Sequence, residues 1–291
     1  MIRLIAILIG LGFTLVVSIA LVVGLYTVAT EGLGEEKVEY AWHAESEAPM
    51  GGFTFAGPFG TYDNQQLQRG FQVYTEVCAS CHSMKYVAFR NMADLGYTEA
   101  EMKAIAAAAQ VPGIDPNTGE DTFRPGLPTD TFPSPYPNDV AAAAANNNAI
   151  PPDLSLITKA RPNGSEYVYS LLTGYSPIPD ELNAEFPDFE TPDGLYFNRY
   201  FPNLNIAMAP PITQDGQVTY APGNPEPTIR QMSADVAAFL TWAGEPTMEK
   251  RKQTGLFVII FLIFATVLAY MAKKQVWADA VPHKRKDGDV A

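Results

Sequence analysis

The chain has 291 residues, of which 32 are acidic and 19 basic, and its net charge of −13 excludes a nucleic-acid binder that would have to neutralise phosphates. Only 18% of residues are charged against 47% hydrophobic, below the roughly 25% charged expected of soluble domains, so part of the chain is expected outside water. Two cysteines and three histidines exclude a multi-disulfide scaffold and a Cys-rich structural zinc site.

From Leu4 to Thr30 there is no charge for 27 positions, and Arg3 precedes the run. A secretory apolar region usually spans only about 7–15 residues. This one is about twice that length, and its small-residue exit (Thr27, Val28, Ala29) is a poor cleavage site, so a retained anchor is favoured over a removed signal. An acid-rich stretch follows with Glu31, Glu35, Glu36, Glu39, Glu45 and Glu47. It is either a steering surface for a basic partner or a solvated, partly mobile segment.

Helical signals in the middle of the chain are short. Asp63 can cap a helix whose stripe is Leu67, Phe71, Tyr74 and Cys78. Thr98 and Glu101 make a capping box ahead of Met102 and Ile105. Asn138 can start the Ala141–Ala145 run, and Gly174 stops a helix through Tyr167, Val168, Leu171 and Leu172. Ser233 is expected to begin the last one, with Val236, Phe239 and Leu240 inward and an end near Gly244 and Pro246. Between them, Val111–Pro137 and Tyr175–Pro227 read as Pro-rich loops, long enough to be functional or packed on something large.

A second uncharged run covers Gly255–Ala272, 18 residues bracketed by Lys250, Arg251, Lys252 and by Lys273, Lys274. At 1.5 Å per residue it spans about 27 Å, and it is apolar on every side, so it reads as a transmembrane helix. Residues 31–249 hold 10 basic and 29 acidic side chains, whereas residues 250–291 hold 8 basic and 3 acidic. Lys273, Lys274, Lys284, Arg285 and Lys286 follow the span, which puts the C-terminus in the cytoplasm and the middle of the chain in the periplasm of a bacterial inner membrane. The expected organisation is a signal or anchor (1–30), a periplasmic domain (31–249), a transmembrane helix (250–274) and a cytoplasmic tail (275–291). Trp277 would sit at the interface, and His283 is a polar tail residue.

Chemistry enters at Cys78-Ala79-Ser80-Cys81-His82, the attachment pattern for a c-type haem. Two thiols three residues apart on one turn can each form a thioether to a porphyrin vinyl group, and the next residue, His82, can then ligate the iron. A thioredoxin-like pair would need a βαβ context, and a zinc site would need ligands that His43 and His283 do not supply. The sixth iron position decides between ligand chemistry and electron transfer, and a methionine closes it while raising the potential. Of nine methionines, Met1 is terminal, Met271 lies in the membrane span, and Met84 and Met92 lie too near the pentad. Met102 reads as core, Met232 and Met248 as flanking helix ends, and Met50 as unstructured. Met208, in Ile206-Ala207-Met208-Ala209-Pro210-Pro211, is the best candidate, set against a packed methionine.

Gly70–Cys78, the haem pentad, Asn147-Asn148-Ala149-Ile150-Pro151-Pro152-Asp153-Leu154-Ser155, Leu171-Leu172-Thr173-Gly174-Tyr175 and Ala207–Pro211 together resemble the cytochrome c1 family, from about Gly57 to the C-terminal span. That family supplies the haem subunit of quinol–cytochrome c oxidoreductase, respiratory complex III. The resemblance implies a mainly α, cytochrome c-like domain with long Pro-rich loops, one covalent haem c on Cys78 and Cys81, and axial ligands His82 and Met208. It implies that Arg161 pairs with a haem propionate, where the residue alone reads as a solvated cation, and that Pro151, Pro152 and Leu154 wall the pocket. It also implies cytochrome b and a Rieske iron–sulfur protein as partners in a dimeric membrane complex, with a basic soluble or membrane-anchored cytochrome c as acceptor. Ser176 stands where some relatives carry a cysteine. A free-standing membrane-anchored shuttle, an oxidase-linked cytochrome and an open-iron peroxidase or reductase are the competing readings. Glu181, Glu185, Asp188, Glu190 and Asp193 are further candidates for steering the acceptor.

Overall fold

The computed structural model describes residues 2–31 and 37–278. Glu35, Glu36, His283 and Lys284-Arg285-Lys286, all of which bear on the charge reading above, lie outside the described residues, as does Met1. The N-terminal apolar run is one helix, α1 (Ile2–Glu31). Then come α2 (Val38–Trp42), α3 (Asn64–Val73), α4 (Glu99–Ala108), a hairpin of β1 (Gln110–Ile114) and β2 (Asp121–Pro125), α5 (Asp139–Ala145) and α6 (Gly164–Thr173). The chain closes with α7 (Asp180–Glu185), a second two-stranded sheet of β3 (Tyr196–Phe197) and β4 (Asn205–Ile206), α8 (Ile229–Gly244) and α9 (Met248–Val276). Both sheets are antiparallel, with Val111 opposite Arg124 and Phe197 opposite Asn205. The fold is mainly α, as expected. Among the described residues, α1 and α9 are long and apolar enough to cross a membrane, and neither buries its apolar window against the rest of the chain.

The caps behave as their chemistry demands. Asp63 accepts from the Gln65 and Gln66 amides, Thr98 and Glu101 form a reciprocal box, and the Asn138 side chain accepts from Ala141 N–H at 2.9 Å. The last soluble helix differs from expectation. It begins at Ile229, capped by the Thr228 hydroxyl, while Ser233 lies a turn inside and its hydroxyl donates back to the Ile229 carbonyl at 2.7 Å. Met232 is therefore not at a helix end but fully buried within α8. The expected loops also contain structure, namely β1–β2 in the first and α7 with β3–β4 in the second.

The main core forms where α3 and α6 pack on α8. Gly70 permits the α3–α8 approach, since a Cβ there would lie 2.0 Å from the Asp235 carbonyl oxygen. Beside it, Phe71 and Phe239 meet at 5.6 Å between ring centroids, and Phe89 meets Phe132 at 4.5 Å. The Asp235 carboxylate is fully buried at this crossing. Such a charge is tolerable only when its lone pairs are filled. Arg69 donates to it twice, at 2.9 and 3.1 Å, and Tyr220 Oη and Gln231 Nε2 each donate at 2.9 Å.

A smaller core of Leu182, Phe197 and Leu204 receives Val38 and Trp42. Residues 37–47 are thus not a free arm: Trp42 Nε1 donates to Glu185 at 3.0 Å, and Ala44 N–H to the Arg199 carbonyl at 2.8 Å. Where α8 passes into α9, Lys252 Nζ donates to the Phe55 and Gly60 carbonyls at 2.6 and 3.0 Å. Glu249 accepts from Tyr62 N–H at 2.7 Å, and Glu245 takes Lys159 and Arg251. These bonds key the apolar helix onto the domain.

Candidate functional site

Regular α-helix stops at Val73, and Tyr74–Cys78 continues as one wide π turn, with Ala79 N–H donating to the Tyr74 carbonyl at 2.8 Å. Thr75 Oγ1 donates to the Phe71 carbonyl at 2.9 Å, one local reason the i−4 ladder loosens here. The turn then closes on itself, because the Cys78 carbonyl accepts from both Cys81 N–H (3.1 Å) and His82 N–H (2.9 Å). Cys78, Cys81 and His82 consequently share one turn. Neither cysteine is in a disulfide, and both are partly buried. Burial, with Cys81 nearby, pushes the Cys78 thiol up to about 12.

His82 is oriented by one bond. Its Nδ1 lies 2.8 Å from the Pro152 carbonyl oxygen. A carbonyl can only accept, so Nδ1 carries the proton and Nε2 keeps its lone pair. Burial drives the His82 pKa down, partly opposed by the Pro152 bond and by Asp153, which keeps the ring neutral and able to ligate.

Asp153 holds that carbonyl in place. Its Oδ2 accepts from Ser83 Oγ (2.8 Å) and Lys85 N–H (2.9 Å), and its Oδ1 from Ser155 N–H (2.9 Å). Burial raises its pKa, but the bonds from Ser155, Lys85 and Ser83 outweigh this and hold it below the ordinary carboxylate value. Leu154 N–H donates to the Ser83 carbonyl at 2.9 Å, and Ser155 Oγ accepts from Tyr86 N–H at 3.1 Å. The segment after the pentad and the Pro-Pro-Asp-Leu-Ser segment are thus bound face to face.

Cys78 packs against the main core, and Leu154 is buried within it. Pro152 is exposed and contributes its carbonyl. Arg161 is exposed ahead of α6 and bonds to the Ala160 carbonyl at 3.1 Å. Met208 is half-buried two residues past β4, its carbonyl accepting from Tyr175 Oη at 3.0 Å. Arg161 and Tyr175 flank opposite ends of α6. Of the other methionines, Met84, Met92 and Met232 are fully buried, Met248 is buried, Met102 is half-buried, and Met50 and Met271 are exposed.

The donor chemistry fits a covalently held haem. One turn presents two free thiols and an imidazole with its second nitrogen available, and the polar partners that fix the imidazole are complete. Among the described residues no three His, Cys, Asp or Glu side chains converge as a protein-only metal centre, so the iron would have to come with its own equatorial ligands. From sequence alone Asp153 stands out only as part of the Asn147–Ser155 run, and neither Tyr175 nor Asn198 carries a role of its own.

A model of the Cytochrome C1 family matches residues 53–280. The chain belongs to the cytochrome c1 family. It is 46% identical over 236 residues to a cytochrome c1 of Rhodospirillum rubrum, covering 78% of this chain and 86% of that protein. It is 45% identical over 248 residues to "Cytochrome c1-2, heme protein, mitochondrial" of Solanum tuberosum, covering 84% of this chain and 92% of the relative. A protein named "Cytochrome b/c1" from Bradyrhizobium diazoefficiens is 47% identical over 252 residues, 81% of this chain, but the chain spans only 36% of its length. Cytochrome c1 proteins bind haem and are the electron-transfer subunit of the bc1 complex.

Proposed function

We propose that this chain passes electrons from a Rieske iron–sulfur protein to a basic cytochrome c, through one haem c attached at Cys78 and Cys81, within a dimeric quinol–cytochrome c oxidoreductase that includes cytochrome b. The observation that carries the reading is the Cys78–His82 turn with its histidine fixed through Nδ1 on Pro152 and Nε2 left available. With haem bound, His82 and Met208 would ligate its iron, Arg161 would pair with a propionate, and Pro152 and Leu154 would wall the pocket. Haem supplies one-electron iron chemistry whose potential depends on the axial pair and the surrounding dielectric. The residues' work is to hold still: His82 cannot rotate without losing Pro152, and the Asp153 bonds resist withdrawal of that carbonyl. A Met208 thioether on the iron would leave no open site, which would suit transfer rather than ligand binding.

The domain stands in the periplasm, α9 spans the inner membrane, and the tail is cytoplasmic. The name "Cytochrome b/c1" joins the two cytochromes in one relative, which supports cytochrome b as the membrane partner here. The acidic excess of residues 31–249 supports a basic acceptor. Opposite charge raises association from about 10⁵–10⁶ to about 10⁸–10⁹ M⁻¹s⁻¹ at low salt.

The test is purification of the full chain in mild detergent. A c-type pigment that stays with the protein in acid acetone, does not take up carbon monoxide when reduced, and co-purifies with cytochrome b and an iron–sulfur protein is the expected result. Met208→Leu should keep the haem, lower its potential and admit carbon monoxide. Extractable pigment, or an unchanged potential in Met208→Leu, would refute the assignment.

A further inference from the structure

The loop carrying Met208 is gripped by groups that the function above does not use. Tyr175 lies two residues past α6, and its hydroxyl donates to the Met208 main-chain carbonyl at 3.0 Å. Burial, with Tyr167 and Tyr196 nearby, raises its pKa well above the tyrosine norm, so it remains a donor. Its backbone is bridged antiparallel to Asn198.

Asn198 is fully buried, and each of its polar groups is used. Its Nδ2 donates to the Leu171 carbonyl in α6 at 2.8 Å, and its Oδ1 accepts from Tyr200 N–H at 3.1 Å. Its N–H donates to the Leu204 carbonyl at 2.8 Å, and its own carbonyl accepts from Phe201 N–H at 3.0 Å. Leu204 has φ of 62°, a left-handed conformation disfavoured for a branched residue and retained where surroundings over-determine it. β4 begins at the next residue and ends two residues before Met208. Downstream, Gln217 donates to the Pro211 carbonyl at 2.8 Å and accepts from Thr213 N–H at 2.9 Å. The loop is therefore fixed before, at and after Met208.

We propose that Tyr175, acting through the Met208 carbonyl, is a positioning residue that keeps the Met208 thioether on the haem iron, with Asn198 seating this arrangement on α6. The proposal rests on Met208 as sixth ligand. A thioether is a neutral, weak ligand, so its hold depends on how little freedom the loop gains when the sulfur lets go. Because Tyr175 bonds to main chain, its effect is separable from the side chain at 208.

The experiment uses haem-loaded full-length protein in detergent, with imidazole as the probe that displaces the thioether from ferric haem. Tyr175→Phe should speed displacement about five- to tenfold, the fold-change expected from one lost neutral hydrogen bond, and lower the reduction potential. Haem content and far-ultraviolet circular dichroism should equal the parent's. Tyr200→Phe, which removes a phenol from the same region without touching the Met208 loop through a described bond, should leave the rate unchanged. Met208→Leu should lose the thioether-to-iron charge-transfer band. If Tyr175→Phe matches the parent in displacement rate and potential, or merely melts earlier, while Met208→Leu loses the band, the proposal is overturned and the ligand assignment stands. A parent-like band in Met208→Leu overturns the ligand assignment itself.

Discussion

Replacing Asp153 by alanine removes three acceptor contacts at once, and the three differ in burial. Ser155 is fully buried and Ser83 nearly so, so the Ser155 amide and the Ser83 hydroxyl lose their acceptor where water does not readily replace it. Lys85 is exposed, and its amide can turn to solvent. A buried donor stripped of its partner costs about 1–3 kcal/mol, and an exposed one a few tenths. Asp153→Ala should therefore destabilise the domain by about 2–6 kcal/mol. At about 2–4 °C per kcal/mol for a domain of this size, melting should fall by roughly 4–24 °C. Ser83→Ala alone should cost about 1 kcal/mol, and the double variant about 1 kcal/mol less than the sum, because both changes break one bond. Thermal and urea unfolding, followed by circular dichroism on haem-loaded protein, measures all four corners of the cycle. Additive losses, or an Asp153→Ala protein melting within about 1 °C of the parent, would refute the clamp.

Gly70→Ala should lower stability by about 2 kcal/mol or more in the same unfolding assay, since its new carbon would overlap the Asp235 carbonyl and force α3 from α8. Arg69→Met leaves the buried Asp235 carboxylate without its cation and should cost about 3–5 kcal/mol, readable as lost expression or an early melt. Glu245 is held below the ordinary carboxylate value, chiefly by the hydrogen bond from Arg251. Its contribution is thus full above about pH 4.3 and lost as pH falls through its lower folded value; after screening, it is worth about 0.5–1 kcal/mol. Glu245→Gln should flatten that acid limb in melts taken across pH. Thr98→Ala should cost about 1 kcal/mol, with the loss confined to α4 amides in hydrogen exchange.

Legibility in the sequence followed the range of the interaction. The grouping of Cys78, Cys81 and His82 on one turn was readable because the three lie within five residues of one another. The caps at Asp63, Thr98 and Asn138 were readable because each partner lies within three residues. Ser233 misled because a serine hydroxyl can serve a cap or a back-bond equally, and here it bonds to Ile229 while Thr228 caps. Strands of two and five residues are too short to show a period, and Pro112 and Gly113 hid one of them. The roles of Asp153, Tyr175 and Asn198 were not readable at all. The partners that define those roles lie 70, 33 and 27 residues away, and the short-range bonds from Ser155 to Asp153 and from Tyr200 to Asn198 do not reveal them.

That same long-range wiring separates two tasks that the proposed function requires together. The pentad is supported by the main core and the Asp153 clamp, whereas Glu181, Glu185, Asp188, Glu190 and Asp193 lie beside the smaller core, with Trp42 binding the acid-rich N-terminal segment to Glu185 from 143 residues away. Charge on that second surface can change without disturbing a bond that orients His82. Coulomb attraction between exposed groups acts across solvent and fades with salt over about 10 Å, so it governs how often a partner arrives. The imidazole and its carbonyl act at 2.8 Å and answer to packing, so under the proposed function they would govern what the iron does once the partner is there. α6 is the element common to both supports, through Asn198 on Leu171 at one end and the Met208 loop reached by Tyr175 just beyond. A disturbance of α6 therefore reaches the Met208 loop and the smaller core together, whereas substitutions among these acidic side chains break no direct hydrogen bond to His82 or to the Met208 loop.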